Sequence, residues 1–73
     1  MTEQVFIEKM KDDVLFTEDD ISMDMLLDNL DGWDSLGFVS FIAIAKEAGY
    51  SQVNRKAVNE AKTIGDLFAL VQE

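Results

Sequence analysis

The sequence predicts an all-α fold: a small bundle of three longer helices and one short helix, with a long acidic loop between the first and second. Three observations predict it. The chain has no Pro and only 4 Gly, while Ala, Leu, Met, Lys and Glu recur, a composition that favours helix over sheet. Apolar residues repeat at helical spacing in separate windows, each preceded by a residue suited to capping a helix. With 73 residues there is room for one domain, spanning 1–73, and a small core, so the layout must be simple.

Thr2 is the expected cap of a first helix over residues 3 to 14, in which Phe6, Ile7, Met10 and Val14 share a side. The next stretch, Leu15 to Trp33 with Asp34 at its end, carries Glu18, Asp19, Asp20, Asp24, Asp28, Asp31 and Asp34, and no Lys or Arg. Ile21, Met25, Leu26, Leu27 and Leu30 recur through it. It reads as a loop pinned to the core by apolar anchors, with a helical turn near 23–29. So long a loop in so small a domain points to function. Ser35 to Ala48 is the strongest helix. Asp34 caps it, Trp33 and Phe38 are placed to form a hydrophobic staple, and Gly49 stops it. A short helix over Asn54 to Ala61 follows, capped by Asn54. Thr63-Ile64-Gly65-Asp66 then approximates a capping box, opening a last helix striped by Ile64, Leu67, Phe68 and Val71.

The formal net charge of −9 argues against a nucleic-acid partner, which requires a basic surface. No apolar stretch approaches the ~20 residues of a membrane span. Met1-Thr2-Glu3-Gln4 lacks the basic and then apolar segments of a secretory leader. The expectation is a soluble, cytoplasmic monomer.

Much chemistry is excluded. Without His or Cys neither the usual zinc sites nor a serine–histidine couple can be built. The run Gly32-Trp33-Asp34-Ser35-Leu36-Gly37 has Trp33 where a nucleophile elbow needs Gly two residues before its serine. Placing Gly32 at the sixth position of a calcium loop puts Leu27 and Phe38 where oxygen ligands belong. No glycine-rich phosphate loop is present. No catalytic residue and no metal site are therefore expected.

The helix after Ser35 is apolar nearly all round. Phe38, Phe41, Ile42 and Ala45 fit one core-facing stripe, while Leu36, Val39 and Ala43 form a second row on another side. The second row is either extra core or an exposed patch for partners. Ser35 lies beside it. Taken alone, such a serine is an ordinary first-turn residue.

Asp34-Ser35-Leu36, within Leu30-Asp31-Gly32-Trp33-Asp34-Ser35-Leu36-Gly37-Phe38-Val39, resembles the modification motif of acyl carrier proteins. The resemblance covers the whole chain, including Thr63-Ile64-Gly65-Asp66-Leu67-Phe68 in the last helix. The tryptophan before the motif is similar to that of specialised members outside housekeeping fatty acid synthesis. The resemblance implies that Ser35 is esterified to 4′-phosphopantetheine, taken from coenzyme A by a phosphopantetheinyl transferase. The arm's thiol would carry acyl intermediates, of fatty acid or polyketide type, as thioesters. Asp34 would help position magnesium during the transfer. Leu36, Val39 and Ala43 would contact acyl-loading and acyl-processing enzymes. A helix N-terminus suits the phosphodiester, since unpaired N–H groups and the helix dipole favour an anion.

The chain also departs from the family. Gly37, Ser40 and Lys46 stand where acids are common, and Arg55, Lys56 and Lys62 face only Glu60 in the third-helix region. Negative charge collects instead in the loop, so Asp28 and Asp31 are expected to meet basic patches on partners. The alternatives are an unmodified interaction module of the same fold and a carrier of aminoacyl or peptidyl cargo.

Overall fold

Residues 1–72 are described by the computed structural model. They form four α-helices: α1 (Glu3–Lys9), α2 (Ser35–Glu47), α3 (Arg55–Glu60) and α4 (Ile64–Leu70). A π-helical turn (Met10–Val14) continues α1, and a 3-10 turn (Leu27–Asn29) lies in the loop before α2. No strand occurs among the described residues; a single isolated bridge pairs Leu26 with Thr63.

Each helix starts where a side chain satisfies an otherwise free N–H of the first turn. Thr2 Oγ1 accepts from Val5 N at 3.2 Å, Asp34 Oδ1 from Gly37 N at 3.0 Å, and Asn54 Oδ1 from Ala57 N at 2.9 Å. At α4 the capping box is complete. Thr63 Oγ1 accepts from Asp66 N at 3.1 Å, and Asp66 Oδ2 accepts from Thr63 N at 3.1 Å. α2 ends in a Schellman motif: Gly49 has φ of 99°, Tyr50 N donates to Ala45 O, and Gly49 N to Lys46 O.

Asp66 Oδ2 also accepts from Lys62 N at 2.9 Å. The backbone N–H groups of Lys62 and then Thr63 hold this carboxyl below its ordinary titration range. A carboxyl that titrates lower in the folded chain stabilises the fold above its unfolded value. That contribution is lost as pH falls through the folded value. Asp66→Asn is therefore expected to lower the melting temperature at neutral pH, with the deficit shrinking towards about pH 3, below ordinary Asp ionisation. An equal deficit at both pH values would contradict this linkage.

The first helical segment covers residues 3 to 14 but changes register at Met10. Leu15 N reaches back to Met10 O at 2.7 Å, a five-residue step. The wider turn lets adjacent Val14 and Leu15 both face inward. Phe6, Met10 and Val14 supply one wall of the core, Phe41 and Ala45 a second, and Ile64, Leu67 and Val71 a third. Phe6 joins these walls, meeting Phe41 edge-on at 6.4 Å and Phe68 at 5.1 Å between ring centroids.

The acidic loop is tied down mainly by its backbone. Leu27 N donates to Lys62 O at 2.9 Å, Ile64 N to Met25 O at 3.0 Å, and Gly65 N to Met23 O at 2.7 Å. Leu27 is buried, while Ile21, Met25 and Leu30 are half-buried against the core. Leu26, expected as an anchor, is instead 50% exposed. Its main chain makes the bridge to Thr63, and alternation along that extended stretch turns its side chain outward.

Candidate functional site

Asp34 leaves the loop in an extended conformation (φ −121°, ψ −165°) and caps α2. The cap is thus supplied by Asp34, and Ser35, the first helical residue, is spared that role. Ser35 is exposed, and no hydrogen bond among the described residues engages its hydroxyl. Trp33 packs on Phe38 at 6.2 Å and on Phe41 at 6.3 Å between ring centroids. This staple fixes the angle at which the chain enters α2, and with it the direction of Ser35.

The inward line of α2 is Gly37, Phe41 and Ala45, all buried. Phe38 and Ile42, expected fully in the core, are half-buried at its edge. The second row faces solvent: Leu36 is 76% exposed, Val39 50%, and Ala43 is exposed as well. Spacing left this row open between core and patch. Gly37 settles it, because the backbones meet at that position and turn the row away from the core.

Gly37 sits where two backbones approach closely. A Cβ there would lie 2.7 Å from Gly32 O and 3.5 Å from Val14 Cγ1. A Cβ on Gly32 would lie 2.6 Å from Leu15 O and 2.9 Å from Leu15 Cα. The two glycines let the end of the loop pass between the first helical segment and α2, main chain against main chain. This close stacking fixes the loop end that presents Asp34 and Ser35.

Asp34 and Ser35 share a surface groove of about 330 Å³ with Phe38, Val39 and Arg55. Arg55 opens α3, and its nearness to Ser35 was not apparent in the sequence. The adjacent cations Arg55-Lys56 directly after the Asn54 cap were the one signal available. Asp28 and Asp31 are exposed. Asp31 lines a loop cavity of about 420 Å³ with Leu15, Ile21 and Leu30, and neither acid lines the groove at Ser35.

The bundle interior is closed. The void among Phe6, Met10, Phe41 and Val71 measures about 10 Å³, room for at most one water. Among the described residues no three acidic, His or Cys side chains converge as a metal site, and no helix is long and apolar enough to cross a membrane.

Comparison with protein-family models, with curated proteins and with solved structures finds no match to this chain.

Proposed function

We propose that this chain is an acyl carrier whose Ser35 takes a 4′-phosphopantetheine arm and presents acyl intermediates to partner enzymes. The observation that carries the reading is the exposed Ser35 hydroxyl, free of hydrogen bonds at the start of a helix that Asp34 caps. The residues around it fit such a group. The first turn of α2 favours an anion, and Arg55 lines the same groove.

Ser35 acts as the nucleophile of its own modification. Its oxygen attacks the phosphorus at the pantetheine end of the coenzyme A pyrophosphate. The bond to the adenosine bisphosphate half breaks, and the hydroxyl proton passes to a base on the transferase. Asp34, whose Oδ1 is held by Gly37 N, would be the residue of this chain to help hold magnesium during that transfer. When bound, the group supplies a terminal thiol for thioester chemistry, so the protein needs no cysteine of its own. The chain contributes tethering, which raises the effective concentration of cargo at a docked enzyme. The exposed Leu36, Val39 and Ala43 offer the apolar part of that docking surface. In this reading the chain is not an enzyme but a substrate of other enzymes.

The same exposed row would also serve an unmodified interaction module. Intact mass separates the two readings. Incubation with coenzyme A, magnesium and a promiscuous phosphopantetheinyl transferase is expected to add one phosphopantetheine. No addition with several transferases would favour the unmodified module.

The loop acids are assigned to partner attraction. Asp28→Asn with Asp31→Asn is expected to slow association with a basic-faced partner enzyme several-fold at low salt, and little at high salt. Stopped-flow rates across a salt series check this. Rates equal to the parent chain at every salt concentration would remove these two residues from the docking surface.

A further inference from the structure

Two surface grooves meet at Val39 and Arg55. One contains Asp34, Ser35 and Phe38. The other, of about 490 Å³, runs between Ile42 and Ala43 of α2 and Asn54 and Lys56 at α3, and ends beside Lys46. Together they form one trough that begins at Ser35 and follows α2. The helix rises about 16 Å between Ser35 and Lys46, a span that an extended phosphopantetheine arm can cover.

The trough has an apolar floor and a cationic rim. Lys46, Arg55 and Lys56 are exposed, and they are half of the 6 Lys and Arg of a chain with net charge −9. Among the described residues, Asp34, at the Ser35 end, is the one carboxylate that lines either groove. The ion pair found among the described residues is elsewhere, between Lys11 and Asp20 at 3.7 Å. Among the described residues none of the rim cations is within ion-pair distance of a carboxylate.

We infer that this trough receives the cargo end of the arm, and that it selects acyl groups ending in a carboxylate. The inference rests on the carrier reading of Ser35. A purely apolar cargo meets only the open apolar floor of the trough. A carboxylated cargo gains the same floor together with Lys46, Arg55 and Lys56. Arg55 lies where the two grooves meet, and Lys46 and Lys56 line the part of the trough beyond Asp34, which the cargo reaches. Tethering keeps the carboxylate near them at high effective concentration, which makes weak exposed pairing effective.

The test compares a succinyl arm with a butyryl arm. Both are installed from the corresponding coenzyme A thioesters by a promiscuous transferase, and loading is verified by intact mass. Amide spectra and the titration of the ¹³C-labelled succinyl carboxyl are then recorded. The succinyl arm is expected to shift the amides of Val39, Ala43, Lys46 and Lys56 well beyond the butyryl arm. Its carboxyl is expected to titrate about half a unit lower on the parent chain than on K46Q/R55Q/K56Q, the scale of an exposed ion pair. A K9Q/K11Q/K62Q variant has the same net charge and is expected to titrate like the parent.

Equal amide shifts for both cargoes, or equal titration on parent and trough variant, would overturn the inference. So would shifts that grow with protein concentration, which would assign the trough to a second copy of the chain. If the trough variant fails to fold, the comparison of cargoes on the parent chain decides alone. Failure to load either arm would overturn the carrier reading itself, and the mass measurement separates that outcome from the others.

Discussion

Gly32→Ala is expected to destabilise the fold by about 2–3 kcal/mol, the range of overpacking at a site that cannot relax. The new Cβ would fall 2.6 Å from Leu15 O and 2.9 Å from Leu15 Cα. These are backbone atoms, so no side-chain rotation relieves the contact. Leu15 is only 7% exposed and follows the π turn, with its N–H bonded to Met10 O. Its retreat would open the core. A domain of this size has a total stability of about 4–11 kcal/mol, so the loss is a large fraction of it. It corresponds to a fall in melting temperature of about 10–20 °C. Gly37→Ala should cost less. Its Cβ meets Gly32 O at 2.7 Å, but alanine returns about 1 kcal/mol of helix propensity. Thermal and urea unfolding check both variants. A Gly32→Ala chain as stable as the parent would contradict the stacked-backbone account of how the loop end is held.

Ser35→Ala is expected to abolish acceptance of phosphopantetheine while leaving the fold intact. The hydroxyl makes no hydrogen bond among the described residues, the cap belongs to Asp34, and alanine is a good helix former. Stability should stay within about 0.5 kcal/mol of the parent, as for most exposed substitutions. Asp34→Ala behaves differently. It leaves Gly37 N without its 3.0 Å acceptor and should cost about 1 kcal/mol through loss of the cap. Ser35→Ala thus removes the attachment point alone, whereas Asp34→Ala removes the cap together with the proposed magnesium contact. Circular dichroism and thermal unfolding report the fold, and intact mass reports the attachment.

Much of this architecture is legible locally. Thr2, Asp34, Asn54 and Thr63 each declare a helix start because capping is settled by residues three apart in sequence. Gly49 declares a stop for the same reason, since the left-handed turn it adopts is a property of one residue. The Trp33–Phe38 staple was equally readable. What escaped depends on contacts between distant segments. The π turn at Met10 appears only when Val14 and Leu15 must both reach the core. The need for glycine at position 37 shows only when Gly32 and Val14 are placed against it. Leu26 looked like an anchor because composition does not say whether backbone or side chain makes the attachment. Arg55 joins the groove at Ser35 because α3 packs beside the start of α2, and a helix of 6 residues carries little sequence signal of where it packs.

The central claim is that Ser35, and no other hydroxyl, bears the arm. The chain offers Ser22, Ser40 and Ser51 as rivals, so the decisive measurement is fragmentation mass spectrometry of the protein loaded from coenzyme A. The account predicts one phosphopantetheine on the fragment containing Ser35, unmodified Ser22, Ser40 and Ser51, and no addition to the Ser35→Ala chain. An arm found on another residue, or an addition that persists in Ser35→Ala, would contradict it.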